Sequence, residues 1–244
     1  MFVEDGNTIN FGQDKFMGGS KLVSSGNISS IIHVKGTPYL PTSEAYLSSI
    51  YVSGVMFFGD FSSTGTTNGI YIDTPGAPSR PFVIENCTFQ FLNNGILVEN
   101  NHASYSTAVA NAIISKNVFT LNNMGVKATG LSAILQMDFS NNVAEGNIVG
   151  ALELYDDVSE RVVNANIRIF NNLLENQPTP IKIKCLKSNV TIDHNYFEIT
   201  SGIQTVYIQG RALTNVFLGK NFVSDDNALK YVLKGVNYKF ESCR

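Results

Sequence analysis

Apolar and polar residues alternate in short runs along most of this chain, and the runs recur around one kind of turn. Each copy has an alternating segment, then a residue that is usually Asn, then one residue, then an apolar one. Examples are Val83-Ile84-Glu85-Asn86-Cys87-Thr88-Phe89 and Ile113-Ile114-Ser115-Lys116-Asn117-Val118-Phe119. Others run Met137 to Ala144, Ile167 to Leu174, Val190 to Phe197 and Val216 to Val223, with a weaker early copy at Val52 to Phe57. The turn positions Val55, Cys87, Asn117, Asn142, Asn172, Asn195 and Asn221 are 23 to 32 residues apart. A second apolar segment follows each copy: Gly95 to Val98, Gly125 to Ala128, Ala151 to Leu154, Pro180 to Ile183, Thr205 to Ile208 and Ala228 to Tyr231. Period 2 and short length predict strands rather than helices.

A layer of such strands cannot bury its inner face alone, whereas stacked copies can. The period and the paired strands predict an all-β solenoid, a single-stranded parallel β-helix of about 7–8 coils spaced by about 4.8 Å. Leucine-rich repeats would need a recurring Leu-x-x-Leu-x-Leu, which is missing. A propeller needs longer blades. A sandwich leaves the long-range register unexplained. Stacking in register places Asn117, Asn142, Asn172, Asn195 and Asn221 above one another, where each amide can bond to its neighbours and to carbonyls freed by the bend. Cys87, in the same position, is expected as a small buried thiol. Near the N-terminus Thr8 to Phe11, Lys21 to Val23 and Ile31 to Val34 read as strands of a first coil. Thr37 to Leu47, Phe61 to Asn68, Asp73 to Ser79 and Asn100 to Ser106 read as projecting loops.

Composition narrows the classes. Charged residues make up 15% of the chain and Asn alone supplies 27 of its 244 residues, so uncharged groups must provide much of the polar surface. A net charge of −3 argues against a nucleic-acid binder. No stretch has the length of a membrane helix, so no membrane insertion is expected. The start lacks a secretory leader, and Met1 also reads as a fragment boundary. No linker is seen, so residues 1–244 are expected to form one domain. The three Cys and three His lack ligand or redox spacing, and neither a metal nor a cofactor is expected. His194 is expected on the bend surface, His33 outward, and His102 in a loop.

The motif Val-x-Ile-x-x-Asn-x-Phe followed by Gly-Ile-x-Val resembles the right-handed parallel β-helix superfamily of pectate lyases, which includes phage tailspike depolymerases. The resemblance spans about Phe2 to Tyr238, taking in Gly18 to Val23 and the later copies. It implies a right-handed fold, a polysaccharide ligand, a virion or extracellular setting and, in the phage branch, a homotrimer. The calcium-binding Asp cluster and Arg-Pro pair of true pectate lyases have no clear match. Asp156-Asp157 and Asp225-Asp226 are adjacent pairs whose side chains face opposite ways on a strand. Arg80-Pro81 stands just before a core strand and reads as a loop end.

The outward positions supply the candidate chemistry. In the second-strand sheet they are Leu97, Lys127, Glu153, Lys182, Tyr207 and Lys230, with Glu99, Thr129, Tyr155, Lys184 and Gln209 one step further. Lysines there would meet carboxylates of an acidic glycan and tyrosines the faces of its sugars. The same stripe also reads as cross-strand ion pairs with no ligand at all. In the first-strand sheet Val83, Ile113, Asp138, Arg168, Thr191 and Phe217 point outward, and its apolar members suit a partner subunit. For hydrolysis two carboxyl groups must flank the glycosidic bond. Glu153 is the expected general acid with Asp156 or Asp157 as its partner, because Glu99 stands about 9.6 Å away by the stacking rule. Elimination would instead use Tyr155, Lys182 or Lys184 as base or as partner of a uronate. The substrate-binding set is therefore Glu99, Lys127, Tyr155, Lys182, Lys184 and Tyr207. Three functions compete: a depolymerising glycoside hydrolase, a polysaccharide lyase or epimerase, and a non-catalytic glycan-binding or virion structural protein.

Overall fold

The computed structural model describes residues 2–4, 21–24, 28–35, 50–59, 66–73, 82–100, 109–130, 134–155, 164–184, 187–210, 214–225 and 228–241. Among them the chain is all β, with no helix. Three parallel sheets run along a solenoid. Sheet A has nine strands: Phe2–Glu4, Ser30–Lys35, Asn68–Asp73, Asn94–Asn100, Met124–Gly130, Gly150–Tyr155, Ile181–Lys184, Gln204–Gln209 and Leu229–Lys234. Sheet B has eight: Lys21–Val23, Met56–Phe58, Thr88–Gln90, Val118–Thr120, Val143–Glu145, Leu173–Glu175, Tyr196–Glu198 and Phe222–Val223. Sheet C also has eight: Ile50–Ser53, Phe82–Glu85, Val109–Ser115, Ile134–Ser140, Asn164–Phe170, Lys187–Asp193, Asn215–Leu218 and Asn237–Phe240. From Phe82 onward the chain cycles through C, B and A, each strand lying beside its counterpart one coil away.

The corner from C to B is built by a left-handed residue followed by the ladder residue. Asn86, Lys116, Asn141, Asn171 and His194 have φ of 54, 57, 55, 55 and 53°. Asn tolerates that region better than most side chains, which accounts for the Asn-Asn pairs at two of these corners. The following carboxamide then closes the corner. Asn172 Oδ1 accepts from the backbone N–H of Asn142 at 2.9 Å and from its Nδ2 at 3.1 Å. Asn172 Nδ2 donates to the Phe139 carbonyl at 2.9 Å and to Asn195 Oδ1 at 2.8 Å. The pattern repeats from Asn117 to Asn221. The expected ladder is present, and every buried carboxamide in its middle is satisfied. Cys87 takes the same place, its thiol 3.8 Å from the Val52 carbonyl, and burial pushes that thiol up to about 11.

A second ladder stands five residues further on, at the corner from B to A. Asn122 Nδ2 donates to the Phe89 carbonyl and to Asn147 Oδ1, and Asn147 Nδ2 donates to the Phe119 carbonyl and to Gln177 Oε1. Here the left-handed residues are Phe91, Leu121, Gly146 and Asn176. The extra methylene of Gln177 still lets its Nε2 reach the Ala144 carbonyl at 3.0 Å.

Between the sheets the inward residues form one dry column. The Phe57, Phe89 and Phe119 rings stack at 4.8 and 4.9 Å with interplanar angles of 2° and 7°. Ala144 follows Phe119 in register, and Phe139 from sheet C approaches the Phe119 ring at 6.1 Å. Stacking brings backbone against backbone where sheet A begins. A Cβ on Gly95 would lie 2.7 Å from the Gly125 carbonyl and 2.8 Å from the Phe119 ring. Of the expected loops, all of Thr37 to Leu47 and residues 61–65, 74–79 and 101–106 of the other three lie outside the described residues, as does the strand expected at Thr8 to Phe11, while Asn100, expected in a loop, closes a strand of sheet A. Asn68, expected in a loop, instead opens a strand of sheet A, as Asp73 closes it.

Candidate functional site

Sheet A sets the spacing of the candidate residues. Its pairing places Tyr71, Leu97, Lys127, Glu153, Lys182 and Tyr207 in one outward column. Asp73, Glu99, Thr129, Tyr155, Lys184 and Gln209 form the column beside it. Lys230 departs from the expected place: it pairs with Thr205, and Val232 stands opposite Tyr207. Thr205 and Tyr207 share a face of their strand, so the departure is one outward step along it.

Outward does not mean exposed here. Leu97 and Glu153 are buried, at 8% and 9% exposure. The Glu153 carboxylate accepts from Lys182 Nζ at 3.1 Å, an ion pair between neighbouring strands. Glu99 accepts the Tyr71 hydroxyl hydrogen bond at 2.7 Å, while Tyr71 stacks on His33 at 4.6 Å. Burial, followed by that bond and the carboxylates of Glu99 and Asp73, pushes the Tyr71 phenol far above its ordinary range. The Tyr207 hydroxyl donates to Gln209 Oε1 at 2.7 Å, and Lys234 Nζ lies 5.6 Å from the Tyr207 ring centroid.

A groove of about 300 Å³ opens on this face, lined by Met124, Val149, Thr179, Lys182, Thr205 and Tyr207. It joins a cation, an aromatic ring, two threonine hydroxyls and an apolar wall. Lys182 and Tyr207 of the expected substrate-binding set therefore share a concavity, with Glu153 held against Lys182. Lys127 and Glu99 lie further along the two columns. Asp156 and Asp157 lie outside the described residues, and of Tyr155 only the strand backbone is described. His194 is on the bend surface as expected, its Nδ1 2.8 Å from Asp193 Oδ2. Among the described residues no group of three or more His, Cys, Asp or Glu is arranged to hold a metal ion. Nor is any helix among them long and apolar enough to cross a membrane.

Sheet B carries a feature that the alternation of the longer strands does not point to. Glu145, Glu175 and Glu198 pair in register, beside a column of Val118, Val143, Leu173, Tyr196 and Phe222. Burial, then the Glu145 and Glu198 carboxylates, raises the Glu175 carboxyl above its ordinary value. The sequence does hold a signal for it, because each Glu stands three residues after a ladder Asn. Treating the short strand after the bend as the tail of the one before it hides that column. No protein-family model, curated protein or solved structure matches the chain.

Proposed function

We propose that this protein binds an acidic polysaccharide along sheet A and cleaves it as a glycoside hydrolase. The observation that carries the reading is the groove in which Lys182 and Tyr207 stand on neighbouring strands. A uronate could pair with the Lys182 ammonium while a sugar ring lies against Tyr207, and strands repeating at about 4.8 Å suit a repeating ligand. Glu153, fixed between buried Leu152 and Leu154, is the general acid of this reading, with Asp156 or Asp157 as partner carboxylate. The reading also takes the solenoid to be right-handed, of about seven to eight coils, and of the pectate-lyase-like, tailspike branch. A virion or extracellular homotrimer belongs to that branch, and exposed Ile113 with half-buried Val83 and Phe217 on one column of sheet C supports side-by-side packing.

A second reading, glycan binding without cleavage, is favoured by the Glu153–Lys182 ion pair, which already engages the Glu153 carboxylate at 3.1 Å. One experiment separates the two. Capsular and lipopolysaccharide glycans are incubated with the protein, and new reducing ends and unsaturated uronate absorbance are measured. Reducing ends alone support hydrolysis, and Glu153→Gln should then lose at least about 100-fold in turnover while keeping most of its affinity. Added absorbance turns the assignment to a lyase. Binding without either product leaves the non-catalytic reading, and absence of binding at millimolar glycan overturns both.

A further inference from the structure

Sheet C carries a third column of carboxamides, and this one faces solvent. Asn111, Gln136, Asn166, Asn189, Asn215 and Asn237 follow one another in register along six consecutive strands. All six are exposed. The first five stand six residues before the ladder residues Asn117, Asn142, Asn172, Asn195 and Asn221, so the fixed coil geometry places them at one height on every strand. Asn215 Nδ2 donates to Asn189 Oδ1 at 3.1 Å, and Asn237 Nδ2 donates to Asn215 Oδ1 at 3.4 Å.

The contrast with the buried ladder defines what this column offers. In the middle of the ladder a carboxamide such as that of Asn172 spends both donor hydrogens and both acceptor positions on its own protein. On sheet C the bonding among Asn189, Asn215 and Asn237 runs side chain to side chain, which for Asn215 engages one amide hydrogen and leaves the other directed away from Asn189. Register continues the column over six strands, a row of exposed carboxamide donors and acceptors about 24 Å long. The row is uncharged. In the adjoining column the two opposite charges beside its middle, Asp138 and Arg168, pair with each other at 3.5 Å. Exposed Ile113 and half-buried Phe217 flank it with apolar surface.

We propose that this row is a second glycan-binding site, selective for an extended neutral polysaccharide whose hydroxyl or acetamido groups meet one carboxamide per coil. A hydroxyl both donates and accepts, as each carboxamide does, so the match needs no charge on either side. The site lies on a different sheet from the Lys182–Tyr207 groove and does not depend on it.

The probe is cellohexaose, titrated into the full chain and followed by calorimetry and by the side-chain amide signals of Asn189 and Asn215. Those signals should shift at millimolar sugar, and affinity should rise with oligomer length. Because no charges meet, raising the salt several-fold should leave affinity unchanged, unlike any acidic glycan held by Lys182. Replacing Asn166, Asn189 and Asn215 together by Ala should weaken binding by about tenfold or more, whereas Lys182→Ala should leave it as it was. Thermal melting checks that the triple variant is folded, and the amide signals of the parent decide the matter if it is not. Unmoved amide signals at millimolar sugar overturn the proposal. So does binding that is lost with Tyr207→Ala instead, which would place the neutral sugar on sheet A. Failure here leaves the acidic-glycan assay on sheet A unaffected, so the two readings fall separately.

Discussion

The C-to-B corner and the outer face of sheet A are both read out once per coil, yet they constrain the chain differently. At the corner, four hydrogen-bonding groups around each carboxamide lie in dry interior, and the side chain must satisfy them all. Only Asn fits fully, and Cys87 shows what a lesser substitute does: it offers a weak S–H donor at 3.8 Å where Asn would place an amide. On sheet A the outward columns are set by register alone, so Leu97, Lys127, Glu153, Lys182 and Tyr207 can succeed one another without a shared bonding scheme. Stacking fixes position in both regions. Only burial without water fixes identity.

The sharpest way to break this comparison is at the corner. Asn172→Leu strands the Phe139 carbonyl, the Asn142 backbone N–H and two carboxamide groups, and should cost about 3 kcal/mol or more in denaturant melts. A loss under about 0.5 kcal/mol would mean that water replaces the ladder. Next in size is the sheet A pair. Lys182→Ala leaves the nearly buried Glu153 carboxylate without its ammonium and should cost about 1–2 kcal/mol. Adding Glu153→Gln should recover most of that loss; a simple sum of the single effects would show that the pair is uncoupled. A smaller gain is expected from Cys87→Asn, which extends the ladder by one rung toward the Val52 carbonyl and should stabilise by about 1 kcal/mol. An unchanged midpoint there would show that the early coils lack room for the amide.

How much of this is legible in the sequence follows the same division. Asn142, Asn172 and Asn195 announce their column because a buried bend admits few alternatives. The outward places of Lys127, Glu153, Lys182 and Tyr207 follow from the alternation of the strands that come after it. The second ladder is harder to see although Asn122, Asn147 and Gln177 keep a fixed offset, because Gln177 and the short strands between the corners blur the motif. Lys230 stands one outward step from its expected place because the path from ladder to sheet A varies in length, being 10 residues from Asn172 to Lys182 and 12 from Asn195 to Tyr207. The Glu153–Lys182 ion pair follows from the register, as the cross-strand reading of the stripe has it, whereas the burial of Glu153 depends on what covers the face, which no periodicity encodes. The same holds for the groove, whose Val149 and Thr179 walls come from the connections into sheet A.

The smallest expected effect separates burial from charge on sheet B. Glu175 stands between Glu145 and Glu198, and its carboxyl is raised first by burial and then by those two carboxylates. A carboxyl whose folded pKa lies above its unfolded value binds its proton more readily in the folded state. The folded state is therefore penalised above that folded pKa, and the penalty is relieved as pH falls through it toward the unfolded value. Glu175→Gln should accordingly raise the melting temperature at neutral pH by about 1 °C, a small effect because the half-buried group keeps part of its hydration. The gain should shrink through the mildly acidic range and vanish below about pH 4, where the parent Glu is protonated in both states. Salt then distinguishes the causes. High salt screens Glu145 and Glu198 but leaves desolvation untouched, so the part of the gain that comes from burial, the largest single cause, should survive. If the gain disappears in high salt at neutral pH, repulsion along the column outweighs burial, and sheet B behaves as a charged surface. A gain that persists undiminished at acid pH would show that the Gln packs better for reasons unrelated to ionisation.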